Sequence, residues 1–435
     1  MLRLARYGKY LLVALALSWL AWTQHASTHA QTSNDKDRAQ ILLGKRLFYD
    51  ARFSSPKGDL PASCSNCHLF NEDPQGLRAF TEFFNRSWFS WRVEDPRRLH
   101  ARNAPVLFDV ALHPQLHYDG EFASLEALVK GTFAGRPMGW LKGEAAQAFA
   151  QMQAALLRDA YPQQFKTAYG VELAKLSPEE TANQAAAAVA AFMRTLRSPM
   201  NSPYDRFLAA NQLSQLANAK NYDALLARLE QKESWRFNQG FDEEALRGMQ
   251  IFFRTSGNSA VGNCVACHTP PLFTDLSFHN VGISQADYDG VHGEGKFAAL
   301  EIPLNDARPI ERLRMAPERG LPERADLGHW NMVDLNRSPL RKPDENDAAF
   351  LQRMVGTIKT PTLRHLAFSQ PYFHNGACTD LLETMREKVR LSELARAGKL
   401  RAADEQLLRM RLSEADLAAL VKFLNALNEE LKVAY

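Results

Sequence analysis

Cys64-Ser65-Asn66-Cys67-His68 and Cys264-Val265-Ala266-Cys267-His268 lie two hundred residues apart and share one pattern, C-x-x-C-H. Two thiols at this spacing can add across the vinyl groups of a protoporphyrin, and the imidazole that follows becomes the proximal ligand of the iron. A structural zinc site would bring its cysteine pairs into one short ribbon and gives no reason for a histidine after both pairs. With only 5 cysteines in the chain, chance recurrence is negligible. The pattern therefore reads as a dihaem c-type cytochrome: Cys64, Cys67, Cys264 and Cys267 hold two haems c, and His68 and His268 ligate their irons. The fifth cysteine, Cys378, has no partner left and reads as a buried free thiol.

Helices must position these motifs. Ala39 to Phe48 carries apolar residues at Ile41, Leu42, Leu43, Leu47 and Phe48, an amphipathic helix ahead of the first motif. Ser177 caps an alanine-rich helix that starts at Pro178 and runs toward Leu196. Phe241 to Phe252 parallels the first pre-motif helix, and Ser413 caps a last helix with Leu417, Leu420, Val421, Phe423 and Leu424 on one face. Each half has a helix before its motif and a long helix at its end, the mark of internal duplication. Strand signals are few. The expected fold is all-α, two cytochrome c-like haem domains with long loops, the largest over Glu301 to Asp344. The expected division is 31–201, 202–239 as an interdomain insertion partly helical around Asn221 to Glu230, and 240–435.

At 435 residues the chain exceeds one small core, and one motif per half favours two domains. A net charge of +3 without a polybasic block argues against nucleic acid. Residues 1–30 combine Arg3, Arg6 and Lys9 with an apolar run from Tyr10 to Trp22, then Thr28-His29-Ala30, and read as a secretory signal cleaved after Ala30. An uncleaved N-terminal anchor is the alternative, and no later segment is apolar enough to span a bilayer. Export to the periplasm agrees with haem c attachment there.

Further motifs carry a resemblance. Leu43-Gly44-Lys45-Arg46-Leu47-Phe48-Tyr49-Asp50, Arg102-Asn103-Ala104-Pro105, Tyr118-Asp119-Gly120, Phe273-Thr274-Asp275 with Phe278-His279-Asn280-Val281-Gly282, Lys359-Thr360-Pro361-Thr362-Leu363-Arg364 and Pro371-Tyr372-Phe373-His374-Asn375-Gly376 stand in one order. Together they resemble the bacterial dihaem cytochrome c peroxidase and MauG-like family, from about Ile41 to the C-terminus. The resemblance implies two cytochrome c-like domains around a calcium ion. It makes His68 the ligand of a peroxide-reacting haem and His268 that of an electron-transfer haem. Asn103 would give calcium a side-chain oxygen, and Ser369 and Pro371 backbone carbonyls. The implied partners are hydrogen peroxide and a small redox protein, cytochrome c or cupredoxin, or a protein substrate. A homodimer is an expectation of the family.

The departures matter too. Many family peroxidases carry a loop histidine about sixteen residues after the first attachment histidine, whereas Leu69 to Leu99 holds none and position 84 is phenylalanine. The resting enzyme should then be open and need no reductive activation. The family tryptophan between the haems falls at Tyr118, which can relay an electron only if its proton is managed. The family glutamate after an Asn-Pro pair is absent from Gly135-Arg136-Pro137-Met138-Gly139-Trp140. Peroxide cleavage needs a group that moves a proton between the two oxygens. The candidates are His113, His117, Glu121 and Glu126, with Arg136 able to stabilise negative charge. The second haem's sixth ligand is expected on the helix from Leu381 to Lys388, where register points nearer Lys388 and thioether chemistry favours Met385. The leading function is peroxide reduction with electrons from a small redox protein. The alternatives are MauG-like oxidation of a protein or small-molecule substrate, and a non-catalytic dihaem carrier.

Overall fold

The computed structural model describes residues 35–57, 61–72, 78–81, 102–231, 234–305, 308–309 and 311–430, with backbone only at 69–72 and 78–81. The N-terminal leader expected at 1–30 and the position of Phe84 lie outside the described residues.

The fold is mostly helical, as the patterning predicts. In the first half come α1 (35–48), α2 (Leu125–Phe133), α3 (Ala145–Leu156), α4 (Tyr161–Tyr169) and α5 (Pro178–Met193). Then follow α6 (Pro203–Ala210), α7 (Ser214–Asn218), α8 (Tyr222–Glu230), α9 (Glu243–Phe253), α10 (Ile283–His292), α11 (Asp347–Met354), α12 (Leu381–Arg396) and α13 (Glu414–Asn425). Short 3-10 turns lie between the helices, and the described strands form two short antiparallel ladders: β1 (Leu69–Glu72) with β2 (Arg78–Thr81), and β3 (Phe278–His279) with β4 (Ile358–Lys359). Among the described residues no helix is long and apolar enough to cross a membrane.

Helix starts follow from local chemistry. Ser177 and Glu180 close a capping box at α5, and Ser413 and Asp416 close another at α13. Asp242 accepts from the Ala245 amide at 2.9 Å to begin α9, and Asp380 accepts from the Leu382 amide at 2.8 Å to begin α12. α5 ends at Met193 rather than running on to Leu196.

The duplication is visible in packing. A Cβ on Gly44 of α1 would fall on the backbone carbonyl of Ala188 in α5, and a Cβ on Gly248 of α9 would fall on that of Ala419 in α13. Each glycine is followed four residues later by a phenylalanine against the same partner helix: Phe48 on Phe192 at 5.5 Å and Phe252 on Phe423 at 5.1 Å. One apolar core gathers residues between Leu43 and Leu196, and a second gathers residues between Tyr204 and Leu427. The segment around α6 and α8 gives Tyr204, Phe207, Leu225 and Leu229 to the second core, with Phe207 stacked on Phe241 at 4.1 Å. The irregular stretch from Glu301 to Asp344 packs round the fully buried Trp330 in a small core shared with Tyr288 of α10 and with Phe350, Leu351 and Met354 of α11.

Candidate active site

Both C-x-x-C-H motifs fold into the same turn. The His68 amide donates to the Cys64 carbonyl at 2.9 Å, and the His268 amide donates to the Cys264 carbonyl at 2.9 Å. All six side chains line one cavity of about 1340 Å³, which extends through both halves. A pocket for one small ligand holds roughly 300–1,000 Å³, so this space suits a pair of macrocycles. Phe48 packs 6.4 Å from the His68 ring, and Phe252 lines the corresponding wall of the second half.

The donor chemistry fits haem as well. A ligating imidazole must be neutral, and burial pushes both His68 and His268 down to about 4. His268 Nδ1 lies 3.0 Å from the Phe273 carbonyl, which fixes the tautomer and leaves Nε2 for iron. His68 Nδ1 has no hydrogen-bond partner among the described residues. Burial pushes the Cys64 and Cys264 thiols up to about 12, as expected of groups meant to be thioethers.

The proton-moving candidates separate in space. His113 lines the cavity, its Nδ1 without a hydrogen-bond partner among the described residues; burial, then the charge of Lys359, pushes it down to about 3. His117 lines the cavity from a left-handed backbone position, φ 64°, close enough to His68 for their charges to repel. Its Nδ1 sits 3.0 Å from Glu121 Oε2, and its ring meets Phe122 edge to face at 5.1 Å. Burial alone would raise Glu121, but hydrogen bonds from His117 and Arg314 hold it down to about 2. Glu126 instead pairs with Arg194 at 2.7 Å on the outer side of α2 and is not part of the cavity wall. Arg136 lies exposed at the cavity, beside the buried Met138. Trp140 is buried with its indole N–H on the Phe53 carbonyl at 3.0 Å.

Tyr118 lines the same cavity, its ring 6.3 Å from that of His374. The backbone beside it is tightly held. The buried Arg102 guanidinium grips Asp326 through Nε at 2.7 Å and meets Asp119 at 2.6 Å, and Arg314 reaches Asp119 at 2.6 Å. The Tyr118 carbonyl accepts from the Lys359 amide at 2.8 Å, and Lys359 Nζ donates to the Gln115 carbonyl at 2.8 Å. Sequence reasoning quoted Arg102 and Lys359 only as motif letters. It did not find Asp326 or Arg314, which come from the irregular Glu301 to Asp344 stretch.

The structure brings Asn103 and Pro371 together: the Asn103 side-chain nitrogen donates to the Pro371 carbonyl at 2.6 Å, and the Asn103 amide donates to the His374 carbonyl at 2.6 Å. Asn103 Oδ1 is buried and without a partner among the described residues, and Ser369 lines the same wall. An unanswered oxygen beside a carbonyl is chemistry that suits a hard cation.

Around the second motif, His279 is held between Asp404 at 2.6 Å and Asp275 at 2.8 Å. Burial would lower it, but the two carboxylates prevail and raise it to about 12, so it is a fixed positive charge. Met385 and Lys388, one turn apart on α12, both line the cavity. Cys378 is a half-buried free thiol whose pKa burial raises.

Comparison with known proteins adds four findings. The profile of the di-haem cytochrome c peroxidase family matches residues 38–213. A cytochrome-c peroxidase of Denitromonas iodatirespirans is 24% identical over 394 residues, covering 89% of this chain and 81% of the relative. The methylamine utilization protein MauG of Paracoccus denitrificans is 27% identical over 376 residues, covering 82% and 76%. Among solved structures, a diheme peroxidase variant from Burkholderia thailandensis superposes with a TM-score of 0.57 at 19% identity, covering 91% of this chain and 87% of that one.

Proposed function

Because the chain belongs to the di-haem cytochrome c peroxidase and MauG-like family of oxidoreductases, we propose that it is a periplasmic enzyme that reacts with hydrogen peroxide at the His68 site and draws electrons through the His268 site from a small redox protein. The observation that carries this reading is the shared cavity: both attachment motifs and Tyr118 line it. Haem c, when held at both motifs, supplies one-electron iron chemistry and, at the first, a coordination position for peroxide.

The chain's own residues supply the rest. His68 and His268 offer neutral imidazole nitrogens, and burial keeps them so. His117 is the best placed proton carrier, because its Nδ1 is anchored to Glu121 and its Nε2 is left to receive a proton and return it. His113 is neutral but too weak a base to hold a proton near neutral pH. Glu121, kept ionised by Arg314, orients His117 rather than accepting the proton itself. Arg136 adds positive charge at the cavity. Tyr118, held by the grip of Arg102 and Arg314 on the next residue, is the relay between the two sites. In this reading the Asn103 side-chain oxygen and the Ser369 and Pro371 carbonyls would hold a calcium ion, whose charge would answer the unpartnered Asn103 oxygen.

Arg136-Pro137-Met138-Gly139, where peroxidase relatives place a glutamate, favours a second outcome in which the oxidising equivalents pass to a protein or small-molecule substrate, as in MauG-like chemistry. Rapid mixing of the purified holoprotein with peroxide, with and without reduced cytochrome c, separates the two. Electron donation that is catalytic in peroxide supports the first, and a slowly decaying oxidised state that cytochrome c does not discharge supports the second. His68→Ala should abolish the reaction with peroxide while leaving reduction of the other haem largely intact. Equal loss at both would overturn the assignment of roles.

A further inference from the structure

Lys388 is a lysine in the wrong surroundings for an ammonium. It projects from the middle of α12 into the cavity wall, with its Nζ 5.4 Å from the centroid of the Phe373 ring. It is close enough to Cys264, Cys267 and His268 for their charges to be coupled to its own. Among the described residues no carboxylate forms an ion pair with it, and the adjacent Glu387 is taken by Arg390 at 2.6 Å. Moving an ammonium out of water is costly. A cation–π contact returns only part of that cost. The neutral amine is therefore the form these surroundings favour, and its lone pair then needs an acceptor.

The side chains around it say what that acceptor is. Cys264, Cys267 and His268 share its end of the cavity, and His268 turns Nε2 inward because Nδ1 faces the Phe273 carbonyl. We infer that Lys388 Nζ is the sixth ligand of the iron bound at Cys264, Cys267 and His268, in place of Met385. This rests on the reading that a haem is attached there. The neutral amine donates its lone pair to form one Fe–N bond; no N–H bond breaks, no proton is released at that step and no electron moves. Met385, one turn earlier, packs against the second apolar core with Leu381 and Leu420 and serves as wall. An amine paired with an imidazole closes the second iron to peroxide. It also keeps the potential below that of a thioether-ligated haem.

The test uses full-length mature holoprotein whose two haems per chain are first verified by pyridine haemochrome. Near-infrared magnetic circular dichroism and low-temperature electron paramagnetic resonance of the ferric protein should show one low-spin iron with two nitrogen ligands and no thioether-to-iron band. Lys388→Met should create that band and raise the midpoint potential of one haem. Lys388→Ala should convert the low-spin signal to high-spin, and Met385→Leu should leave the spectrum as it was. A thioether band in the unaltered protein that vanishes in Met385→Leu would overturn the inference, as would a Lys388→Ala spectrum identical to the parent. If neither lysine variant folds, the spectrum of the unaltered protein still decides. A count of one haem per chain would sink the underlying reading instead, a result distinct from two haems with the wrong ligand.

Discussion

Arg102 holds more of the site together than any of the residues expected to do chemistry. Its guanidinium is 12% exposed, and the Asp119 and Asp326 side chains it pairs with are 0% and 3% exposed. It thereby ties the Tyr118 turn to the irregular stretch of the second half. Removing one member of a buried ionic set leaves the others uncompensated, so Arg102→Ala should cost about 3–5 kcal/mol. Thermal or denaturant unfolding of the holoprotein will measure it, and a loss within ~0.5 kcal/mol would contradict the account. Arg102→Lys should recover little, because a point charge cannot make the paired contacts of a planar fork. At this scale the sequence was legible where chemistry has a spacing: four thiols and two imidazoles announce themselves. Asp326 and Arg314 could not be read, since a single acid or base in an irregular segment carries no sign of what it will meet.

Helices were legible through their caps and apolar faces, and α1, α5, α9 and α13 each follow from local rules. The crossings between them depend on two glycines. In an exposed helix Gly→Ala gains up to about 1 kcal/mol. At Gly44 and Gly248 the added methyl would meet the carbonyls of Ala188 and Ala419, so the sign should reverse. Gly44→Ala and Gly248→Ala should each lose ~1–3 kcal/mol through overpacking, measured by chemical denaturation. Equal or greater stability in either variant would show that the helices do not approach this closely. The stretch from Glu301 to Asp344 reads as loop in sequence because it lacks any period. In the structure it still encloses Trp330, Leu313 and Leu327 in a small core shared with α10 and α11, which periodicity within the stretch cannot report.

The whole molecule depends on carboxylates that must stay charged. Burial alone would raise Asp119, Asp326 and Asp205, but Arg102, Arg314 and Arg364 outweigh it and hold all three below the ordinary aspartate range. Glu121 is held down to about 2. A carboxylate whose folded pKa lies below its unfolded value of about 4 stabilises the fold fully above that pH, and the stabilisation drains away as pH falls toward the folded value. Unfolding midpoints should fall steeply below about pH 4, where these carboxylates begin to take up protons. Stability that stayed flat down to pH ~3 would rule out this origin. Length and motif repetition suggest two halves each built round one attachment site, and each half has a helix crossing in which a glycine meets a carbonyl of the partner helix. That both sites open onto one space could not be read from sequence, because it depends on how the halves meet. That common space also bears on how the protein is made. Attachment needs a nucleophilic thiolate, yet in the finished fold burial pushes the Cys64 and Cys264 thiols up to about 12. Attachment is therefore expected while the polypeptide is still open, with the helices closing afterwards around cargo already in place.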